Sequence, residues 1–122
     1  MGLKRIRLEL ARNPGFPEGS ARHGYELVAP LTDSGHLDTE AWRSPELRRR
    51  CMVRRFWGGE EDQHGSLRFT RHRAWAFSYA PGEEDDEPLH HLESHAIREG
   101  EYVTVREADG RTLTFRIVSV DG

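Results

Sequence analysis

The chain of 122 residues carries a single cysteine, Cys51, and a single lysine, Lys4. One cysteine excludes an internal disulfide and any cysteine-only zinc site. Within the apolar-patterned stretch Cys51 to Trp57 it reads as a small buried hydrophobe. Long apolar runs are missing as well. Met1 to Leu10 alternates charge with apolarity, which argues against a secretory leader or a membrane span. A cytoplasmic protein with no membrane partner is the expectation. No internal repeat or shift of composition marks a boundary, so residues 1–122 are expected to form a single domain, long enough to bury a core. No nucleophile elbow, phosphate loop or metalloprotease helix occurs, which leaves no catalytic residue to assign and no ground for an enzyme.

What is present is charge, and it is unevenly spread. Charged residues make up 32% of the chain and hydrophobic ones only 35%. The apolar residues nevertheless fall in patterned runs, which separates this composition from that of a disordered chain. The net charge of −3 hides three blocks: −1 over residues 1–40, +5 over 41–80 and −7 over 81–122. Arginine supplies 17 of the 18 basic side chains. That can serve bidentate anion recognition, and it can equally follow from a GC-rich genome. The basic middle could pair with the acidic stretch Glu83 to Glu87, either within the fold or across a dimer.

The periodicity is that of strands. Arg5 to Leu10 turns Ile6, Leu8 and Leu10 to one side and Arg5, Arg7 and Glu9 to the other. His23 to Ala29 does the same with Tyr25, Leu27 and Ala29, and Pro30 should end it. Cys51 to Trp57 reads as a third strand, Leu67 and Phe69 mark a fourth, and Trp75, Phe77 and Tyr79 give a fifth with an aromatic face. Leu89 to Ile97 is a sixth. Between them, Asn13 to Gly19, Thr32 to Gly35, Gly58 to Gly65 and Pro81 to Glu87 have loop composition. The one helical candidate is short: Asp38 and Thr39 can cap a helix near residues 38–50, with Pro45 breaking or restarting it.

The last two strands form a hairpin whose register can be derived. Tyr102 to Arg106 and Thr112 to Val120 flank Asp109-Gly110, a strong turn signal. A two-residue loop would pair Val103 with Arg116 and Val105 with Thr114, mixing polarity on both faces. A three-residue loop, Ala108-Asp109-Gly110, pairs Val103 with Phe115 and Val105 with Leu113 on a wholly apolar face. It sets Tyr102, Thr104 and Arg106 against Arg116, Thr114 and Thr112 on the other. A slip of one residue undoes this segregation, so the three-residue loop is expected, with Gly110 left-handed in the bulge. The fold class that follows is all-β with minor helix: an antiparallel, partly open small barrel of about seven to eight strands. Thr112 to Val120 should pair back near Arg5 to Leu10 and so cover both edges.

Three constellations bear on function. If Leu89 to Ile97 is a strand, His91, Glu93 and His95 share a face, and neighbours roughly 6.5–7 Å apart can reach one metal. His91 and His95, about 13 Å apart, cannot do so without a bend. A zinc or other divalent site would use Glu93 with one of them and a remote His64, His72 or His23, because such sites need three or four ligands. Solvated histidines are the default. In the basic, aromatic middle, Arg54, Arg55, Arg71, Arg73 and Trp75 could grip phosphates and stack bases of a single strand. The alternative is a core of aromatics backed by solvated arginines, and a pI near 6.2 is far from the basic balance of nucleic-acid domains. Ser20, His23 and Glu26 are the residue types of acid–base and nucleophilic chemistry, but nothing in their spacing selects them over a loop entering a strand.

Three segments, FPEGSARHGYEL, CMVRRFWGGEEDQHGSLRF and SHAIREGEYVTVREADGRTLTFRIVSV, resemble a family of small uncharacterised bacterial proteins with no established activity. That resemblance transfers no functional residue. The glycine–strand–turn–strand ending also resembles hairpins of small barrels that bind protein, nucleic acid or flavin, and fold alone does not choose among these. The expectation is a non-catalytic binding or regulatory module with a protein partner, itself or another, and a homodimer is one form it could take. A metal or small-molecule site at His91, Glu93 and His95 is the first alternative, and single-stranded nucleic acid on segment 48–75 the second. No other cofactor is expected.

Overall fold

The computed structural model describes residues 2–69, 75–79, 87–90, 96–107 and 110–122. Its strands are β1 (Gly2–Leu10), β2 (Ser20–Leu31), β3 (Met52–Trp57), β4 (Gln63–Phe69), β5 (Trp75–Ser78), β6 (Glu87–His90), β7 (Tyr102–Arg106) and β8 (Thr112–Asp121). Two one-turn helices, α1 (Thr39–Trp42) and α2 (Pro45–Arg48), join β2 to β3. Each strand pairs antiparallel with the next, and β8 pairs with β1, so the ring closes. The closure is the expected one: Ile6 lies opposite Val120, and Leu10 opposite Phe115. Among the described residues, β6 is joined to β5 and to β7 by two residue pairs each.

The hairpin has the derived register. Val103 meets Phe115, Val105 meets Leu113, and Tyr102, Thr104 and Arg106 meet Arg116, Thr114 and Thr112. The Glu107 N–H donates to Arg111 O and the Gly110 N–H to Glu107 O, enclosing a three-residue loop. Gly110 is left-handed at φ +91°, which a residue with a Cβ adopts only under strain. Burial follows the pattern, since Val105 and Phe115 are sealed while Tyr102 and Arg106 are exposed.

Four expectations need correction. Pro30 does not end β2, which runs on to Leu31. The ladder to β3 has already stopped at Leu27, so on that side no partner requires the amide that proline lacks. The single helix is two, divided by Ser44 and restarted by Pro45 at its first position. β4 begins at Gln63, inside the stretch whose composition suggested a loop. The sixth strand is described over Glu87–His90, starting earlier than expected and drawing Glu87 in from the acidic tract, while residues 91–95 of the expected Leu89 to Ile97 lie outside the described residues. Ile97 is buried outside any strand, its N–H donating to Gly35 O.

The two ends of the barrel differ. At the helix end, Asp38 Oδ1 accepts from the Ala41 N–H, and Trp42 crosses to Leu67, its indole N–H donating to the carbonyl at 3.0 Å. Trp42 meets Trp75 edge-on at 5.7 Å, so rings rather than a sheet plug that end. Cys51 is sealed just before β3, its thiol donating to Leu47 O, and burial pushes its pKa up, which makes it a poor nucleophile. Between the ends, described side chains pack the interior around an apolar cavity. Lined by Ile6, Leu27, Phe77, Ile97 and Val103, it measures about 20 Å³, room for a single water but with no polar group to hold one.

The other end is shaped by an irregularity in β2. Glu9 pairs with Gly24 but Leu10 with Ser20, so Ala21 to His23 bulge from the ladder. Gly24 must be glycine, because a Cβ there would stand 2.0 Å from Leu8 O. Its cross-strand partner Phe56 lies over the bare backbone and is held there by the guanidinium groups of Arg7 and Arg54, at 4.4 and 5.2 Å.

Candidate functional site

Chemistry-bearing side chains converge at this bulged end, and period two explains why. The inward residues of β2 include Tyr25, those of β3 are Val53, Arg55 and Trp57, and β7 turns Val103 and Val105 inward. One further step of that alternation brings Glu107 into the core, where it is 4% exposed. Arg55 Nη2 meets Glu107 Oε1 at 2.6 Å, and the Tyr25 hydroxyl donates a short hydrogen bond to Oε2. The Arg55 guanidinium lies 4.0 Å from the Trp57 ring. Burial alone would lower the Arg55 pKa. The hydrogen bond and charge of Glu107, helped by Tyr25, outweigh it and hold the pKa above its ordinary value. Both carboxylate oxygens are engaged by protein groups in a sealed place. The cluster is therefore an internal tie joining β2, β3 and the start of the last turn.

Above the tie, at the rim, lie Ser20 and His23. Ser20 Oγ is 2.8 Å from His23 Nδ1 and also accepts the Arg22 N–H at 3.1 Å. The imidazole stands edge-on to Trp57 at 4.6 Å and tilted against Phe16 at 5.3 Å. Partial burial lowers its pKa, the charges of Arg22 and Arg55 lower it further, and Glu60 opposes them. The folded state thus disfavours the protonated ring. On acidification the unfolded chain takes up its proton first, near pH 6.5, so this residue's contribution to stability is lost as pH falls below that point, down to the lowered folded value. In chemical denaturation followed between pH 7.5 and 5, wild type should lose more stability than His23→Gln. Parallel curves would remove His23 from the account. Glu26, the third of this sequence trio, points the opposite way, outward between Arg7 and Arg54.

Of the residues considered for nucleic acid, the three that are described, Arg54, Arg55 and Trp75, do not share a surface. Arg55 is inside, tied to Glu107, and Trp75 is 2% exposed against Trp42 and Phe69, so neither can meet a base; both occupy inward positions of their strands. Arg54 does face outward but is engaged by Glu26 and by Asp62 at 2.7 Å. Arg71 and Arg73 lie outside the described residues, as do His91, Glu93 and His95 of the metal expectation, with His72. Among the described residues no group of three or more histidine, cysteine or acidic side chains is placed to hold a metal. His64 is exposed on the outer face of β4, opposite Arg54.

The tie itself escapes sequence reading, although its signal is there. Arg55 alternates with Val53 and Trp57, and Glu107 follows Val103 and Val105, so both charges stand at inward positions. Two buried charges of opposite sign at inward positions predict each other. No protein-family model matches the chain, and neither the curated proteins nor the solved structures contain a match to it. Among the described residues no helix is long and apolar enough to cross a membrane.

Proposed function

We propose that the protein is a non-catalytic binding module that works through the outside of its barrel, with a second copy of itself as first partner. The observation that carries this reading is a contrast between inside and outside. Among the described residues, the apolar cavity beside Phe77 and Val103 is about 20 Å³, too small for an organic ligand. Outside, Tyr102 is 59% exposed in a groove of about 840 Å³ that also includes Glu9, Arg12, Glu18, Thr114 and Arg116. Tyrosine and arginine are the residues that most often anchor protein interfaces. Carrying both charge signs on one patch allows a twofold pairing in which arginines of one copy face glutamates of the other. A nucleic-acid surface would instead need one sign.

Light scattering at low and high salt tests the reading. A dimer is expected at low salt, weakening as salt screens the rim charges. Tyr102→Asp should be monomeric with unchanged circular dichroism, because the side chain is exposed. A monomer at every salt and protein concentration would overturn the proposal.

A further inference from the structure

We propose that a second outer surface, at the helix end of the barrel, is a docking groove for an extended acidic segment of another protein. Two surface grooves of about 380 and 250 Å³ share Arg5 and Val28, and so run into one another across β1 to β4. Their walls carry Lys4, Arg5, Arg50 and Arg54 against Glu26 and Asp121. Glu26 is already held by Arg7 and Arg54. Lys4, Arg5 and Arg50 form no ion pair among the described residues. A surplus of positive charge therefore stands here on a chain whose net charge is −3.

The floor is aliphatic. Val28 lies opposite Arg5, and Met52, 50% exposed, lies opposite Ser66. Four adjacent strands span ~14 Å, the length of four or five extended residues. Free cations at the rim would recognise carboxylates, and methionine adapts to whatever apolar side chain lies between them. A single nucleic-acid strand would need rings on which to stack its bases. Phe56, the ring on the outward side of β3, is only 8% exposed beneath Arg7 and Arg54. The chemistry favours an acidic polypeptide.

Fluorescence anisotropy with a fluorescein-labelled Glu-Glu-Leu-Glu-Glu-Leu-Glu-Glu peptide tests this. Saturable binding that weakens with salt is expected, and the double variant Arg5→Glu/Arg50→Glu should lower affinity by about tenfold or more. Tyr102→Asp, on the other groove, should leave peptide binding unchanged, which separates this surface from the self-association reading. Both arginines are exposed, so the double variant should keep the wild-type circular dichroism. If it does not, Arg50→Glu alone, outside every strand, is read in its place. Three results would each overturn the proposal: no saturable binding, undiminished affinity in the charge-reversed variant, or tighter binding of an oligothymidylate of equal charge. So would a large gain in peptide affinity on neutralising Glu83, Glu84, Asp85 and Asp86, because the chain's own acidic tract would then be the occupant.

Discussion

Glu107→Ala should be the most damaging single polar substitution in the chain, lowering unfolding free energy by about 3–5 kcal/mol. The loss comes less from the missing ion pair than from what remains: Arg55, its side chain 12% exposed, stripped of its counter-charge inside the barrel. For a domain of this size, Tm should fall by roughly 10–20 °C. Arg55→Ala strands the opposite charge and should cost a similar amount. Tyr25→Phe removes one donor and leaves the ion pair, so about 1–2 kcal/mol is expected. The double variant Glu107→Leu/Arg55→Met discriminates further. Replacing both charges by apolar groups of similar size should recover much of the loss, because the desolvation cost disappears with them. Urea denaturation of the four variants measures all of this. A Glu107→Ala protein within 1 kcal/mol of wild type, on the order of an ordinary surface change, would contradict a buried tie.

Phe115→Ala should lose about 3–5 kcal/mol, while its neighbour Arg116→Ala should stay within about 0.5 kcal/mol. Phe115 is fully buried, its ring 5.2 Å from Tyr25 and 6.4 Å from Trp57, and it faces Val103 across the hairpin. Arg116 points outward beside Tyr102. Large and small effects on adjacent residues are what a single strand register produces, since period two puts them on opposite faces. A two-residue turn would place Val103 against Arg116 and equalise or reverse the two costs.

The hairpin register and the β1–β8 closure were legible in the sequence because each depends on local periodicity and on the need to cover an edge. Cys51 as a buried hydrophobe and Asp38 as a helix cap were legible for similar reasons. Element ends were not. Whether Pro30 ends β2 depends on where its neighbour β3 stops, and no local signal carries that. The loop-like composition of Gly58 to Gly65 hid the start of β4, where Gly65 lies against Val53 and close to the Ser78 carbonyl. The tie was missed for a different reason. Arginines in the middle of the chain suggested a surface, whereas Arg55 has its counter-charge 52 positions later, just past β7 and four strands away around the ring. Arg54, one residue earlier and on the opposite face, shows how little composition says about either.

The proposed function requires that the protein bind on its outer surface and keep a packed interior. Amide chemical shifts followed through a dilution series test it directly. The resonances expected to move are those of Tyr102, Thr114, Arg116 and Arg12, with Val103, Phe115 and Ile117 unmoved. Shifts confined to the inward residues, or none at all across a range in which the measured mass changes, would contradict it.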